Sequence, residues 1–164
     1  LADTMLLMDQ GKIITSGPIQ EVLIHPNLRK YLGQTLIGTV LDTTVVRQDE
    51  KFQLTVLKFN NHTLYVPHRS VSPGKQLRIH IRADDVILAV EPMEELTSVL
   101  NVLPAQIIDV RDSYEDGCKV DVTLDIGCPL LASITRKSLI NLNLKPGNNI
   151  FAHIKAIRMA NEVD

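Results

Sequence analysis

An internal repeat in the larger, later part of the chain constrains its fold more than any other feature. The segment 66–71 resembles 134–139, and the segment 73–83 resembles 146–156. Each copy contains a Pro-Gly turn, then alternating aliphatic residues, and then a basic residue followed by alanine. The connection between the matched segments is longer in the second copy. We therefore predict two consecutive units, each of about 60 residues, with the same topology.

Within these units hydrophobic residues alternate with polar residues. The alternation runs through 51–56 and through 119–126, which is the period of a β-strand with one buried face. From about Leu36 onward no segment carries a convincing helical pattern. The sequence predicts a mainly β fold of tandem small barrels of the OB type, joined by the acidic, proline-containing linker 91–95.

Composition excludes several classes of function. Of the 164 residues, 45% are hydrophobic and 22% are charged, which is typical of a globular protein. The net charge of −2, with 4% aromatic residues and no Trp, argues against a nucleic-acid-binding face, because such a face needs positive charge and stacking platforms. No apolar run reaches the length of a membrane span.

We expect the first residues to be an internal part of a fold, since Leu1 is not an initiator Met. Residues 4–8 and 13–15 predict a β-hairpin around a turn at 9–12. Ser16-Gly17-Pro18 then predicts a helix start with Ser16 as its N-cap. We expect that helix to end at Pro26, or to restart at 27–32.

Catalytic and metal-binding residues are not predicted. No pair of the five histidines has a metal-ligand spacing, and His80 with His153, at the same repeat position, favours a structural or surface role. The acidic residues at 84–85, 109 and 112 are expected to face solvent. Cys118 and Cys128 are interpreted as reduced core thiols of a cytosolic protein, with a disulfide or redox pair as the alternative.

The second unit carries hydrogen-bond donors at its strand ends: Thr97, Ser98, Asn101, Thr135, Ser138 and Lys155. A tetrahedral dianion only accepts hydrogen bonds, so hydroxyl, amide and ammonium groups suit it. The first unit has Pro67 where the second has Thr135, and Arg82 where the second has Lys155. The alternative is that these hydroxyls only cap turns.

About the first 30 residues resemble the last part of an ABC-transporter ATP-binding domain. The residues that carry the resemblance, within 1–22, follow the order strand, Asp9-Gln10-Gly11-Lys12 turn, strand, Gly17-Pro18 and helix. The phosphate-binding sequence Gly-x-x-x-x-Gly-Lys-Ser/Thr is absent from these 164 residues. We therefore expect this fragment to be non-catalytic. The resemblance implies an ATPase whose ATP and Mg²⁺ bind only in a domain upstream.

The segments 98–103, 132–139, 144–147 and 152–156 resemble the molybdate-binding Mop domain, which is of the TOBE type. With the ABC-like start, this resemblance implies the C-terminal portion of the ATP-binding subunit of a bacterial molybdate importer. The implied divisions are the end of the ATP-binding domain at 1–34, a first barrel at 35–92 and the Mop barrel at 96–162.

The resemblance also implies a binding site for molybdate or tungstate. Ser98, Thr135 and Lys155 fall on the oxyanion-contacting positions of the family, and the adjacent motif positions are occupied by Asn101, Ser138 and Ala156. The family motif Ser-x-Arg-Asn has Arg where this chain has Leu100.

The function implied is the sensing of intracellular molybdate and the modulation of uptake. The implied partners are a second copy, through the barrels, and the membrane permease subunits, at the cytoplasmic side of the inner membrane. Two alternatives stay open. One is a structural dimerisation module of an importer for a sugar, polyamine or iron, and the other is part of a molybdate-storage or molybdate-responsive regulatory protein.

Overall fold

The computed structural model describes residues 3–24, 28, 31, 37–93, 97–113 and 117–160. The strands are β1 Thr4–Asp9, β2 Lys12–Pro18, β3 Gly38–Asp49, β4 Leu54–Phe59, β5 His62–Pro67, β6 Gln76–Arg82, β7 Val86–Ala89, β8 Asn101–Asp112, β9 Lys119–Asp125, β10 Pro129–Thr135, β11 Asn149–Ile154 and β12 Arg158–Met159. The helices are α1 Ile19–Val22 and α2 Arg136–Asn141, and a 3-10 turn spans Ala83–Asp85. The described residues contain no helix long and apolar enough to cross a membrane.

The predicted hairpin and the helix after it are present. Strands β1 and β2 pair antiparallel around a turn in which Gly11 has a φ of 77°. The predicted N-cap is wrong: Ser16 pairs with Leu6 across the hairpin, and Pro18 precedes the helix without a side-chain cap. Pro26 and most of 27–32 lie outside the described residues.

Two five-stranded sheets follow, and each contains one strand from the other half of the chain. Their orders are β12-β6-β3-β4-β5 and β7-β11-β8-β9-β10. Strand β7 pairs with β11, and β12 pairs with β6. The division of the barrels at 35–92 and 96–162 stays a prediction, but the two segments are interlocked by this exchange.

The repeat is visible in the backbone as well as in the sequence. The 12-residue strand that begins each repeat has a bulge, between Val45 and Arg47 in β3 and between Ile107 and Asp109 in β8. Beside each bulge the glycine of a Pro-Gly turn donates to the strand, Gly74 N to Val45 O and Gly147 N to Ile107 O, both at 2.8 Å. These glycines have φ angles of 84° and 91°, which explains why both copies keep glycine.

One continuous apolar core lies between the two sheets. Its residues come from both halves of the chain and include Leu41, Leu57, Ile81, Val86, Leu103, Leu124 and Ile154. A second cluster packs Leu7, Val22 and Leu23 against Val40, so the hairpin and α1 cover part of the first sheet. The mainly β, OB-like fold class is confirmed.

The short helix α2 departs from the sequence expectation, which placed no helix after Leu36. Thr135 ends β10 with an extended backbone and caps α2 by accepting a hydrogen bond from Ser138 N. A hydroxyl cap three residues ahead of its donor is a recognisable signal, although the helix itself is too short for a periodic pattern.

Candidate functional site

Thr135 and Ser138 form a pair of hydroxyls where β10 meets α2. The Thr135 Oγ1 accepts from Ser138 N at 3.1 Å, and the two hydroxyl oxygens are 2.8 Å apart. One of the two hydroxyl hydrogens is used between them, which leaves the other for an acceptor outside the pair. The predicted capping role is therefore real, and it leaves one donor available for a ligand.

Lys155 lies directly after β11 and extends into solvent. Its backbone N–H donates to Asp85 O at 2.8 Å, which anchors the residue to the 3-10 turn. Among the described residues no carboxylate lies within ion-pair distance of its ammonium group. Ala156 follows it and is half-buried.

Asn101 is buried and links the two sheets. Its Oδ1 accepts from Tyr65 N at 2.7 Å, and its Nδ2 donates to Tyr65 O at 2.9 Å. Tyr65 lies in β5 and Asn101 opens β8, so this amide joins the first sheet to the second. One amide hydrogen is left for any further partner.

Ser98 and Leu100 lie on the exposed segment that leads into β8. Thr97 Oγ1 accepts from Val99 N at 3.2 Å, a local turn contact of the kind that short hydroxyl side chains make. Leu100, at the position where the resembling family has Arg, is 62% exposed. An apolar side chain is therefore presented to solvent where a charge was expected.

The structure brings these residues together in two groups. The pairing of Asn101 with Ile154 places Asn101 opposite the residue that precedes Lys155 and Ala156, and Ser98 lies three residues before Asn101 in the chain. Thr135 and Ser138 form the other group. The 3-10 turn Ala83–Asp85 is linked to both groups: Asp85 O accepts from Lys155 N, and Asp84 pairs with Lys119, the strand partner of Thr135.

Lys119 is a residue that the sequence analysis missed. It pairs with Thr135 across β9 and β10, and its Nζ lies 2.9 Å from Asp84 Oδ1. Asp84 is exposed, as expected, and it also forms an ion pair, which the sequence did not predict. The neighbouring Asp85 keeps a buried Oδ2 without a hydrogen-bond partner in the described structure.

His153, for which the sequence favours a structural or surface role, is buried. It pairs with Val102 and Ile87, which flank it on the neighbouring strands. No group of three or more His, Cys, Asp or Glu residues that could hold a metal ion occurs in the described ranges.

The cysteines form no disulfide with one another in the described structure. Cys118 is exposed rather than part of the core, because it precedes β9. Cys128 is partly buried, and burial, with a contribution from Asp125, raises the pKa of its thiol to about 11. The core position predicted for Cys118 is therefore wrong.

We predict unequal reactivity of the two thiols, because the thiolate is the nucleophile. At pH 8 a disulfide reagent such as dithionitrobenzoate should modify Cys118 first, and Cys128 at least about tenfold more slowly. The absorbance of the thionitrobenzoate anion that the reagent releases measures the rates of both phases. The fast phase should disappear in Cys118→Ser, and equal rates for the two thiols would contradict the prediction.

Comparison with known proteins finds one matching family model and several proteins that are similar to this chain. Residues 97–160 match the family model of the TOBE domain. The molybdenum import ATP-binding protein ModC of Paramagnetospirillum magneticum is 37% identical over 98% of this chain, which spans 44% of that relative. ModC 1 of Azotobacter vinelandii is 34% identical over 97% of this chain, and ModC of Pseudomonas syringae is 38% identical over 96%.

The chain therefore spans less than half the length of these relatives, 44% of the ModC 1 relative and 43% of the Pseudomonas protein. Among solved structures, the cytoplasmic molybdate-binding protein ModG, crystallised with molybdate bound, superposes with a TM-score of 0.62. That match has 20% sequence identity and covers 74% of this chain and 95% of ModG. At this identity the likeness establishes a shared fold.

Proposed function

We propose that this chain, which carries a TOBE domain and is similar over nearly all its length to molybdenum import ATP-binding proteins, is the regulatory region of such a subunit. It binds molybdate or tungstate at the second sheet. The observation that carries this proposal is that one 3-10 turn is linked to both groups of donors, to Lys155 through Asp85 and to the strand partner of Thr135 through Asp84.

The chemistry of the ligand fits the groups available. Molybdate is a tetrahedral dianion whose oxygens accept hydrogen bonds and do not donate them. The Lys155 ammonium supplies charge, and the Thr135–Ser138 pair supplies a directional donor. Ser98 and one remaining amide hydrogen of Asn101 are further donors. Ala156 has a small side chain, which leaves room for the anion to approach its backbone closely.

The whole protein would couple this site to transport. In that proposal an upstream ATP-binding domain hydrolyses ATP with Mg²⁺, and the membrane permease subunits are its partners at the cytoplasmic side of the inner membrane. The barrels would also pair two copies of the subunit, and no nucleic acid would be involved. If the anion binds one arrangement of the subunits better than another, molybdate shifts the population toward it, which would slow uptake when intracellular molybdate is high.

Calorimetry tests the proposed site. We expect heat of binding with molybdate and tungstate, and about tenfold weaker binding in Lys155→Ala, because a charge-assisted contact is lost. Lys58→Ala, which removes an exposed lysine of the first sheet, is the matched control and should bind as the unaltered chain does.

Two results would contradict the proposal: no heat with any of molybdate, tungstate and sulfate, or unchanged affinity in Lys155→Ala. Leu100 favours one other candidate function, a structural dimerisation module of an importer for another solute, because it removes the charge of the resembling motif. A dimer on size-exclusion chromatography, together with no oxyanion binding, would favour that candidate.

A further inference from the structure

We infer that Lys119 is a further cation of the oxyanion site and that Asp84 is an internal carboxylate which the oxyanion must displace from it. The inference rests on the proposed function of the same site. It names a binding residue and a competing group that the motif residues do not include.

The strand register places Lys119 beside the hydroxyl pair. Lys119 and Thr135 are directly paired across β9 and β10, so their side chains leave the sheet on the same face, with Cβ atoms about 5 Å apart. The Thr135 Oγ1 is in turn 2.8 Å from Ser138 Oγ. A lysine side chain at this position reaches any ligand that accepts from the hydroxyl pair.

The repeat shows that this polar pair is particular to the second sheet. The corresponding pair in the first sheet is Leu54 and Pro67, at the same register between β4 and β5. Neither of those side chains carries a hydrogen-bonding group. Both members of the pair are therefore polar in the unit proposed to bind an anion and apolar in the unit that lacks the motif.

The carboxylate of Asp84 forms an ion pair with the ammonium group of Lys119. The Nζ to Oδ1 distance is 2.9 Å, and the two side chains are 36% and 26% exposed. A carboxylate oxygen takes the same donors as an oxygen of molybdate. The Asp84 turn is also tied to the backbone of Lys155 through Asp85, so the turn that holds Lys119 also contacts the segment that carries Lys155.

Lys119 also accounts for the charge missing at Leu100. A dianion held by Lys155 alone would keep half of its charge uncompensated. With Lys119 released from Asp84, two ammonium groups face the dianion. Exchange of one anionic partner for another keeps Lys119 paired in both states, and binding does not require burial of an unpaired charge.

Calorimetry with molybdate on three variants tests the inference. Lys119→Gln should bind about tenfold more weakly, and Asp84→Asn should bind about threefold more tightly, since it removes the competitor. In the double variant the gain from Asp84→Asn should disappear, because Asp84 acts through Lys119. Lys58→Gln is the matched control for loss of one positive charge, and circular dichroism checks that each variant folds.

The outcomes separate this inference from the proposed function. If the unaltered chain binds molybdate and both single variants bind equally well, Lys119 and Asp84 are outside the site and the inference is wrong, while the proposed function stands. If the unaltered chain binds, Lys119→Gln binds more weakly and Asp84→Asn binds more tightly, the inference is confirmed. If neither the unaltered chain nor any variant binds, both proposals are overturned.

Discussion

Gly38→Ala is expected to lower the free energy of unfolding by about 3 kcal/mol, as overpacking against backbone does. A Cβ at position 38 would lie 2.1 Å from Ile81 O and 2.8 Å from Arg82 Cα. Both are backbone atoms of β6, the strand with which Gly38 pairs, so neither can move aside as a flexible side chain would. The start of β3 must therefore separate from the end of β6, where Gly38 pairs with Arg82.

Urea unfolding followed by circular dichroism measures this effect. Gly11→Ala is the matched control, because Gly11 has a φ of 77° and a methyl group added there would meet nothing within 4 Å. That substitution should cost about 1 kcal/mol from left-handed backbone strain alone. The prediction fails if Gly38→Ala is no more destabilising than Gly11→Ala.

The position of Gly38 illustrates what the sequence could not predict. Its need for glycine comes from the backbone of β6, a strand distant in the sequence, and no local pattern signals such an approach. The same holds for strand exchange. Strands β7 and β12 have four and two residues, which is too short for a period to indicate a face or a partner.

Local pattern was reliable where a strand is long and one face is buried. The alternation through 119–126 predicted β9, and Val120, Val122 and Leu124 are buried. The same pattern at 51–56 misplaced the start of β4, because Phe52 is 63% exposed and belongs to the preceding turn. There Phe52 N donates to Asp49 Oδ1, and Gln53 has a φ of 52°. Turn contacts therefore replace the alternation.

The motif residues of the candidate site could be predicted from the sequence, but the ion pair beside them could not. Thr135, Ser138 and Lys155 could be identified from the repeat and the family motif, because their chemistry is local. Lys119 and Asp84 could not, because their relation to Thr135 depends on the register of β9 with β10 and on the packing of the 3-10 turn. The charge balance of a site assembled from distant segments follows from tertiary contacts.

The Asn101 side chain separates a structural role from a ligand contact. Asn101→Ala should lower the free energy of unfolding by about 3 kcal/mol, because it leaves both Tyr65 N and Tyr65 O without their partner in a buried junction. Asn101→Asp is the conservative comparison. Its carboxylate can accept from Tyr65 N but cannot donate to Tyr65 O, so we expect it to be destabilised as well.

Urea unfolding and molybdate calorimetry on the same variants distinguish the two roles. If the amide mainly joins β5 to β8, Asn101→Ala loses stability while its affinity for molybdate, measured at a temperature where it remains folded, falls less than that of Lys155→Ala. Lys155→Ala should show the converse, with weak binding and unchanged stability, because its side chain lies in solvent. Equal loss of affinity in both variants would make Asn101 a direct contact through its remaining amide hydrogen.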